Sequence, residues 1–441
     1  MSMFLVRITA NTLEDVRALD ELDLDLQRRA AHQIETGQFT IPGILDADQM
    51  RRLQAAGYQV DLVADLAIAE AMRRQEMSEA LRAAEARGMM DILDRAVMGY
   101  LAATEIEDTL ARLGSAYPDL VNLIALPYHT WEGRVCHAIR LRAGTRGARV
   151  GVLFTGSMHA REWGGADACI AFASNLVNAY RTGSPLVYGG KTFTAAQVQT
   201  ILERCNLVVF PDVNPDGKNH SQSMSMWWRK NRNPNKTVDP AHPGVDMNRN
   251  FEFLWNSGIG TSGSPKSDIY KGTAPFSEPE TRNVRFLLDR FTSIQYYLDI
   301  HSYSGLILYP WGDDDNQSIH QDRNFRNPAY DGQRGRPGGY GEFMPGADQH
   351  KLVDLANRMS AALTAVRGTR YTVQQAVGLY PTSGTSDDYV FSRHLVDPRR
   401  RKVYPFTIEF GTEFIPPFAE MRQIIGELCA AMTELCLAAA S

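Results

Sequence analysis

Five strand-like runs, at residues 148–155, 206–210, 294–300, 306–309 and 403–410, recur through this chain with helical stretches between them. Strands spaced by helices pair side by side while the crossovers cover the sheet, so both faces are buried and the strands can be apolar almost throughout. The predicted fold class is α/β: a mixed, mostly parallel twisted sheet with helices on both faces. With 441 residues, 44% hydrophobic and 22% charged, the chain can build a full-sized core and is long enough for one large domain plus something smaller.

The first 66 residues read as that smaller unit. Strand signals at 4–9, 38–41 and 58–63, with helical stretches at 13–26 and 46–56, make a small α+β module. It holds eleven acidic against six basic side chains and so carries the chain's whole formal net charge of −5. Residues 67–97 contain no Pro and one Gly among Ala, Glu, Arg and Met, which predicts a helical connector. The body spans 98–441. Within it Thr104-x-x-Glu107 and Ser277-x-x-Glu280 read as capping boxes, and residues 312–350 as a long surface loop.

Composition excludes several classes. An acidic balance with no clustered basic excess argues against nucleic acid and anionic membranes as partners. Five scattered cysteines with no C-x-x-C pair argue against a disulfide framework. No apolar run reaches the roughly 18 residues of a spanning helix, and the first residues lack an export signal, so the expected location is cytoplasmic. The sequence leaves oligomeric state open.

Chemistry concentrates where strands end. His159-Ala-Arg161-Glu162 follows the 148–155 strand and can place imidazole and carboxylate on one side of a turn. The 294–300 strand delivers His301, a third ligand. Two histidines and one carboxylate, with the fourth position left to water, suit a hydrolytic zinc site rather than a structural one. The 403–408 strand ends in Glu409, an acidic residue that needs a reason to be there because burying an ionised carboxylate unpaired is costly. Basic text at Trp227-Trp228-Arg229-Lys230-Asn231-Arg232 precedes Asp246-Met247-Asn248-Arg249-Asn250, and Leu379-Tyr380-Pro-Thr-Ser-Gly384-Thr-Ser-Asp387-Asp388 follows later.

Together these motifs, H-A-R-E-W, R-K-N-R, N-R-N, H-S-Y-S, L-Y-P-T-S-G-T-S-D-D and F-T-I-E-F, resemble those of the funnelin zinc metallocarboxypeptidases, the carboxypeptidase A and B group, in the family's order from about residue 100 to the end. The resemblance implies a carboxypeptidase-like fold, one Zn²⁺ per chain held by His159, Glu162 and His301, and Glu409 as general base. It assigns Arg232 to the carbonyl oxyanion, Asn248 and Arg249 to the substrate's terminal carboxylate, Tyr380 to closure over the bound residue, and Arg161 and Arg229 to secondary contacts. Asp387 matches the floor of the specificity pocket, where a carboxylate favours C-terminal Lys or Arg; Leu308 and Gln375 match other pocket positions. The expected partner is a peptide or protein C-terminus. A relative cutting cell-wall peptides or removing glutamate, and a silent peptide-binding module, are the alternatives.

Two departures stand out. Between Glu162 and His301 lie 138 residues, more than the pancreatic enzymes carry, with the surplus expected in loops at 183–190 and 258–267. Within 312–350, Asp313-Asp314-Asp315-Asn316 reads as an exposed acidic loop, with calcium as the sharper option. The N-terminal module resembles a carboxypeptidase propeptide in length and element order. Its acidity faces a substrate path of arginines, and Arg73, Arg74, Arg82 and Arg87 offer cleavage sites in the connector.

Overall fold

The structure is a computed structural model; it describes residues 3–441 except 20, 21, 23, 28–30, 35, 36, 87–97, 145, 146, 148, 337 and 379. The N-terminal unit contains β1 (Met3–Ala10), α1 (Leu13–Ala18), β2 (Asp25–Leu26), β3 (His32–Gln33), β4 (Phe39–Asp46), α2 (Ala47–Ala55) and β5 (Gln59–Asp65). Its antiparallel sheet runs β2-β4-β1-β5, with β3 also on β4. Asp46 caps α2 by accepting from Gln49 N (2.8 Å), while Gln49 returns a bond to Asp46 N. The helix expected over 13–26 stops at Ala18, and Asp25 and Leu26 pair with Ile44 and Gly43 instead. Acidic side chains at 20, 21, 23 and 25 would crowd the negative end of a longer helix, which disfavours its extension.

The connector forms α3 (Leu66–Ala86); residues 87–97, Arg87 among them, lie outside the described residues. Two of the expected cleavage sites are anchors. Buried Arg73 donates from Nε to Ile415 O (2.9 Å) and pairs with Glu76 (2.9 Å), and Arg74 reaches Gln222 O (3.0 Å). Arg82 is exposed.

The body follows as α4 (Ala103–Ala116), β6 (Val121–Ala125), β7 (His137–Leu141), β8 (Val150–Gly156), α5 (Gly165–Thr182), β9 (Leu186–Tyr188), β10 (Lys191–Phe193), α6 (Ala195–Arg204), β11 (Cys205–Phe210), α7 (Pro215–Ser223), α8 (Pro279–Arg290), β12 (Ile294–Ser302), β13 (Leu306–Tyr309), β14 (Asn316–Gln317), β15 (Glu342–Phe343), α9 (Gly346–Arg367), β16 (Thr372–Gln375), α10 (Ser386–Val396), β17 (Tyr404–Phe410) and α11 (Phe418–Ala440). The sheet order is β16-β13-β17-β12-β8-β11-β7-β6, with a parallel centre from β17 to β11 and antiparallel pairs at β13/β17, β11/β7 and β7/β6. Along β11, β12 and β17 nearly every residue is buried, so both faces of the sheet are covered. Helix α11 is long and apolar enough to cross a membrane by composition, but most of it is buried against α9 and α5.

Both capping readings shift, the first by two residues and the second by one. In α4 Glu105 accepts from Ala102 N (2.8 Å), whereas Glu107 pairs with His137 (2.6 Å). In α8 the cap is Glu278 with Pro279 next, and Ser277 donates to Glu278 (2.7 Å). The 183–190 surplus is a hairpin edge, since β9 pairs with β10. In the acidic run 313–316, exposure is limited to Asp315 and part of Asn316: β14 pairs with β15, Asp313 is fully buried and Asp314 nearly so. Burial, and then the nearby charges of Glu342 and Asp388, push the Asp313 carboxyl well above its ordinary value. Gly312 makes this fold-back possible, because a Cβ there would lie 2.8 Å from Asp388 Oδ2, the carboxylate that accepts from Gly312 N.

Candidate active site

Strand β8 ends at Gly156 and the chain turns through Ser157, at φ 54°, into His159 and Glu162, which share a turn closed by Glu162 N donating to His159 O (3.2 Å). Strand β12 carries His301 to the same end of the sheet. On the neighbouring parallel strand β17, Glu409 is the register partner of His301, so the ladder itself sets this carboxylate beside the histidine.

The three ligands are all buried and offer atoms within 4.8 Å of one another, the one such group among the described residues. His159 Nδ1 and His301 Nδ1 stand 3.2 Å apart, and each is 2.7–2.8 Å from a different oxygen of Glu162. Two nitrogens at about 2.0–2.1 Å from one ion, roughly tetrahedrally disposed, would span about 3.3 Å. The donor set therefore fits zinc. Each imidazole turns its other nitrogen to a carboxylate: His159 Nε2 lies 3.1 Å from Asp246 Oδ1, and His301 Nε2 lies 3.0 Å from Asp299 Oδ2. Burial alone would raise Glu162, but the charges of His159 and His301 outweigh it and hold that carboxylate well below its ordinary value.

Asp246 organises a second arm of the site. Its Oδ2 accepts from Arg229 Nε (3.2 Å) and Nη2 (2.9 Å), and its Oδ1 from Asn248 N (2.9 Å), which starts the tight turn Met247–Arg249. Arg249 donates to Gly260 O (2.9 Å) and Asn248 O (2.7 Å). Gly384, at φ 69°, lies against that residue; a Cβ there would sit 2.3 Å from Arg249 O. Arg229 and Arg232 are placed differently. Ala160 N donates to Arg229 O (2.9 Å), which pins Arg229 against the ligand turn, with its guanidinium 3.6 Å from Glu162. Three residues on, Arg232 stacks on Trp228 (4.9 Å) and faces Glu132 (3.6 Å).

A cavity of about 40 Å³ joins His159, Glu162, Arg229, Asn248, Arg249 and Glu409. Its remaining wall includes Asp25, Leu26 and Gln27 of the N-terminal unit. Buried Arg161 holds Asp25 bidentately (2.5 and 2.8 Å), approaches Asp268 (3.6 Å) and lies over the Phe414 ring (4.5 Å). Tyr380 packs with the N-terminal core residues Val6, Ile8 and Val16 and donates its hydroxyl to Val16 O (2.6 Å).

The specificity positions lie elsewhere. Asp387 is fully buried in the first turn of α10; its oxygens accept from Thr407 Oγ1 (3.0 Å) and Asp388 N (3.0 Å), and it is not among the residues lining this cavity. Leu308 packs with Leu306 and Ala376. Gln375 donates to Trp311 O (2.8 Å) and Asp314 O (2.6 Å), bracing the inserted segment rather than facing the ligands. A larger cavity of about 1070 Å³, between residues 252–260, 325–336 and α10, contains none of the three ligands.

Sequence reading missed Asp246, Asp299, Asp25 and the central place of Arg229. A signal existed for two of them. Asp299 sits two residues before His301 on the same face of an otherwise apolar strand, and Asp246 opens the motif already noticed for Asn248 and Arg249.

A sheet whose strand ends bring two histidines, a glutamate and a second carboxylate into one arginine-lined cleft belongs to a metallohydrolase, and this chain is a member of the zinc carboxypeptidase family, whose model matches residues 106–431. It is a metallocarboxypeptidase. Carboxypeptidase B of Astacus astacus is 34% identical over 290 residues, 65% of this chain and 79% of that protein. The inactive metallocarboxypeptidase ECM14 of Ajellomyces dermatitidis is 35% identical over 209 residues, 45% of this chain and 32% of its own length. The crystal structure of carboxypeptidase A from Helicoverpa armigera shares the fold at a TM-score of 0.77 and 20% identity, covering 99% of this chain and 97% of that one.

Proposed function

We propose that the chain is an exopeptidase that removes C-terminal residues, Lys and Arg above all, and that residues 1–66 hold it latent. The observation that carries this is the cleft in which His159, Glu162, Glu409, Arg229, Asn248 and Arg249 meet, with His301 grouped behind the first two and Asp25 of the N-terminal unit in the wall.

Bound at His159, Glu162 and His301, zinc would acidify a water toward a pKa of about 7 and polarise the scissile carbonyl. The chain's own residues do the rest. Glu409 takes the proton of the attacking water and passes it to the departing amine, so no covalent intermediate is needed. Arg229, held by Asp246, offers its guanidinium to the oxygen that gains charge, a role in which one lost donor typically costs about 3–4 kcal/mol. Arg249 and Asn248 hold the terminal carboxylate, for which a planar guanidinium is well shaped. By resemblance Asp387 supplies the preference for cations; its oxygens accept from Thr407 and Asp388 behind the cleft, so its buried charge would act on a Lys or Arg side chain only once the specificity pocket opens.

Latency follows from two contacts. Asp25 occupies Arg161 on the substrate path, and Val16 O occupies the Tyr380 hydroxyl, so the residue expected to close over a substrate is engaged by the N-terminal unit. Cleavage at exposed Arg82 would free the body with its site intact.

Matched acyl-Arg, acyl-Lys and acyl-Phe substrates, assayed before and after limited proteolysis and with and without a chelator, test the reading. Chelator-sensitive release of Arg and Lys ahead of Phe is expected, with Asp387→Ala narrowing the ratio. Turnover that survives Glu409→Gln near the wild-type rate would sink the mechanism.

A further inference from the structure

Strand β12 carries a carboxylate that the chemistry above leaves unused. Asp299 has no exposed surface, and a buried ionised carboxylate persists only where partners repay its lost hydration. Its Oδ1 accepts from Thr155 Oγ1 (2.7 Å), the side chain of its register partner on β8, and the Tyr297 hydroxyl lies 2.8 Å from the same Thr155 oxygen. Its Oδ2 accepts from Ser386 Oγ (2.8 Å), at the start of α10, and lies 3.0 Å from His301 Nε2, an ion-pair contact without hydrogen-bond alignment that a small rotation of the ring would complete. Ser386 also donates its backbone N–H to Asn248 Oδ1 (2.8 Å). A continuous buried chain of contacts therefore runs from His301 through Asp299 and Ser386 to Asn248.

The two metal-facing imidazoles are backed differently. Asp246, behind His159, is shared with the Arg229 guanidinium, whereas Asp299 meets His301 and two neutral hydroxyls. More of the Asp299 charge is thus directed at one imidazole. A carboxylate at Nε2 keeps the hydrogen there, leaves Nδ1 with its lone pair toward Glu162, and raises the electron density that the ligand offers. The Ser386 bond meanwhile occupies Asn248 Oδ1, so the amide nitrogen is the atom left to donate in the cleft.

We propose that Asp299 is a positioning residue: it sets the ring of His301 for zinc and, through Ser386, ties that ligand to the Asn248 arm that receives the substrate's carboxylate. The inference rests on the zinc carboxypeptidase reading for the identity of the metal. Its main readout is zinc affinity and needs no turnover. A chain that cleaves no peptide, yet loses zinc as described below, would leave it standing while the exopeptidase reading fell.

The full chain is stripped, reloaded with zinc and titrated against a chromophoric chelator. Asp299→Asn, similar in size and uncharged, is expected to weaken zinc about 10- to 100-fold. The zinc-free melting temperature should stay at or above the wild-type value, since a buried charge is gone. A merely space-filling role predicts the reverse, a lower zinc-free melting temperature at unchanged affinity, and zinc affinity within about threefold of wild type overturns the proposal. Ser386→Ala keeps the Asp299 charge and removes one donor to it, so zinc affinity should fall only about 3- to 10-fold while KM rises roughly 3- to 10-fold at nearly constant kcat, on whichever form, intact or cleaved, is active. An unchanged KM refutes the tie to Asn248. Should Asp299→Asn fail to fold, Thr155→Val, which keeps the charge and removes one donor, takes its place; a loss of about 3- to 10-fold in zinc affinity is expected, and none overturns the assignment.

Discussion

Replacing Asp25 by alanine should wake the intact chain. The carboxylate belongs to a short edge strand of the N-terminal unit and is one-fifth exposed, so its loss spares that unit's core, while its partner Arg161 is almost wholly buried. Removing one member of a buried ion pair usually costs about 3–5 kcal/mol. Asp268, 3.6 Å from Arg161, recovers part of this, and a guanidinium uncovered by the departing unit rehydrates. A loss of about 2–3 kcal/mol in docking is then reasonable, which shifts the docked-to-open ratio by roughly 30- to 150-fold. The assay is the initial rate on an acyl-Arg substrate for intact wild type, intact Asp25→Ala and both proteins after cleavage near Arg82. The intact variant should gain by that factor, up to the ceiling set by the cleaved enzyme, and the cleaved forms should match. If both cleaved forms are active and the intact variant is no faster than intact wild type, the docking argument is wrong.

Two further outcomes follow from the same geometry. Arg229→Ala should cut kcat by about 10²–10³ with KM less affected, while Arg232→Ala stays within about threefold of wild type; kcat measurements on the two cleaved variants decide between them. Latency should also depend on pH. In the docked state burial, then the charge of Asp25, pushes Asp268 up to about 6, although Arg161, Arg229 and Lys230 oppose the shift. A raised carboxylate favours the docked form at low pH and loses that advantage as pH rises through about 6. Asp25 itself resists burial and is held below its ordinary 3.8 by Arg161, so its contribution is lost as pH falls below that value. The ratio of intact to cleaved activity should be lowest near pH 4, climb between about 4 and 6 and level off above 6; a flat ratio between 4 and 6 would remove Asp268 from the account.

What the sequence disclosed was set by locality. The sheet strands and the residues at their ends could be placed because apolar runs and short motifs are local signals: His159, Glu162, His301 and Glu409 occupy the positions their strands imply. Arg229 and Arg232, three residues apart, look equivalent on paper, and the Ala160–Arg229 backbone bond, made across 69 positions of chain, is what sets Arg229 against the ligand turn. The buried carboxylate of Asp313 was hidden for a similar reason. Asp-Asp-Asp-Asn reads as surface text until the return of β15 beside β14 seals it from solvent. The helix that ended at Ala18 was lost to a competitor far along the chain, the pairing of Asp25 and Leu26 with β4.

The pairing of His301 with Glu409 across β12 and β17 has a consequence for how this catalyst can vary. Side chains on neighbouring strands are separated by the spacing of the hydrogen-bond ladder, and a slip of one residue turns a whole strand inside out. Glu409 and His301 thus cannot drift apart by small steps, because a one-residue displacement would invert strands buried on both faces. Arg161, Arg229 and Arg249 sit on turns and Asp25 on a two-residue edge strand, all of which can lengthen, exchange partners or be cut away. The proposed selectivity and latency are free to change around a His301–Glu409 spacing that the sheet keeps constant.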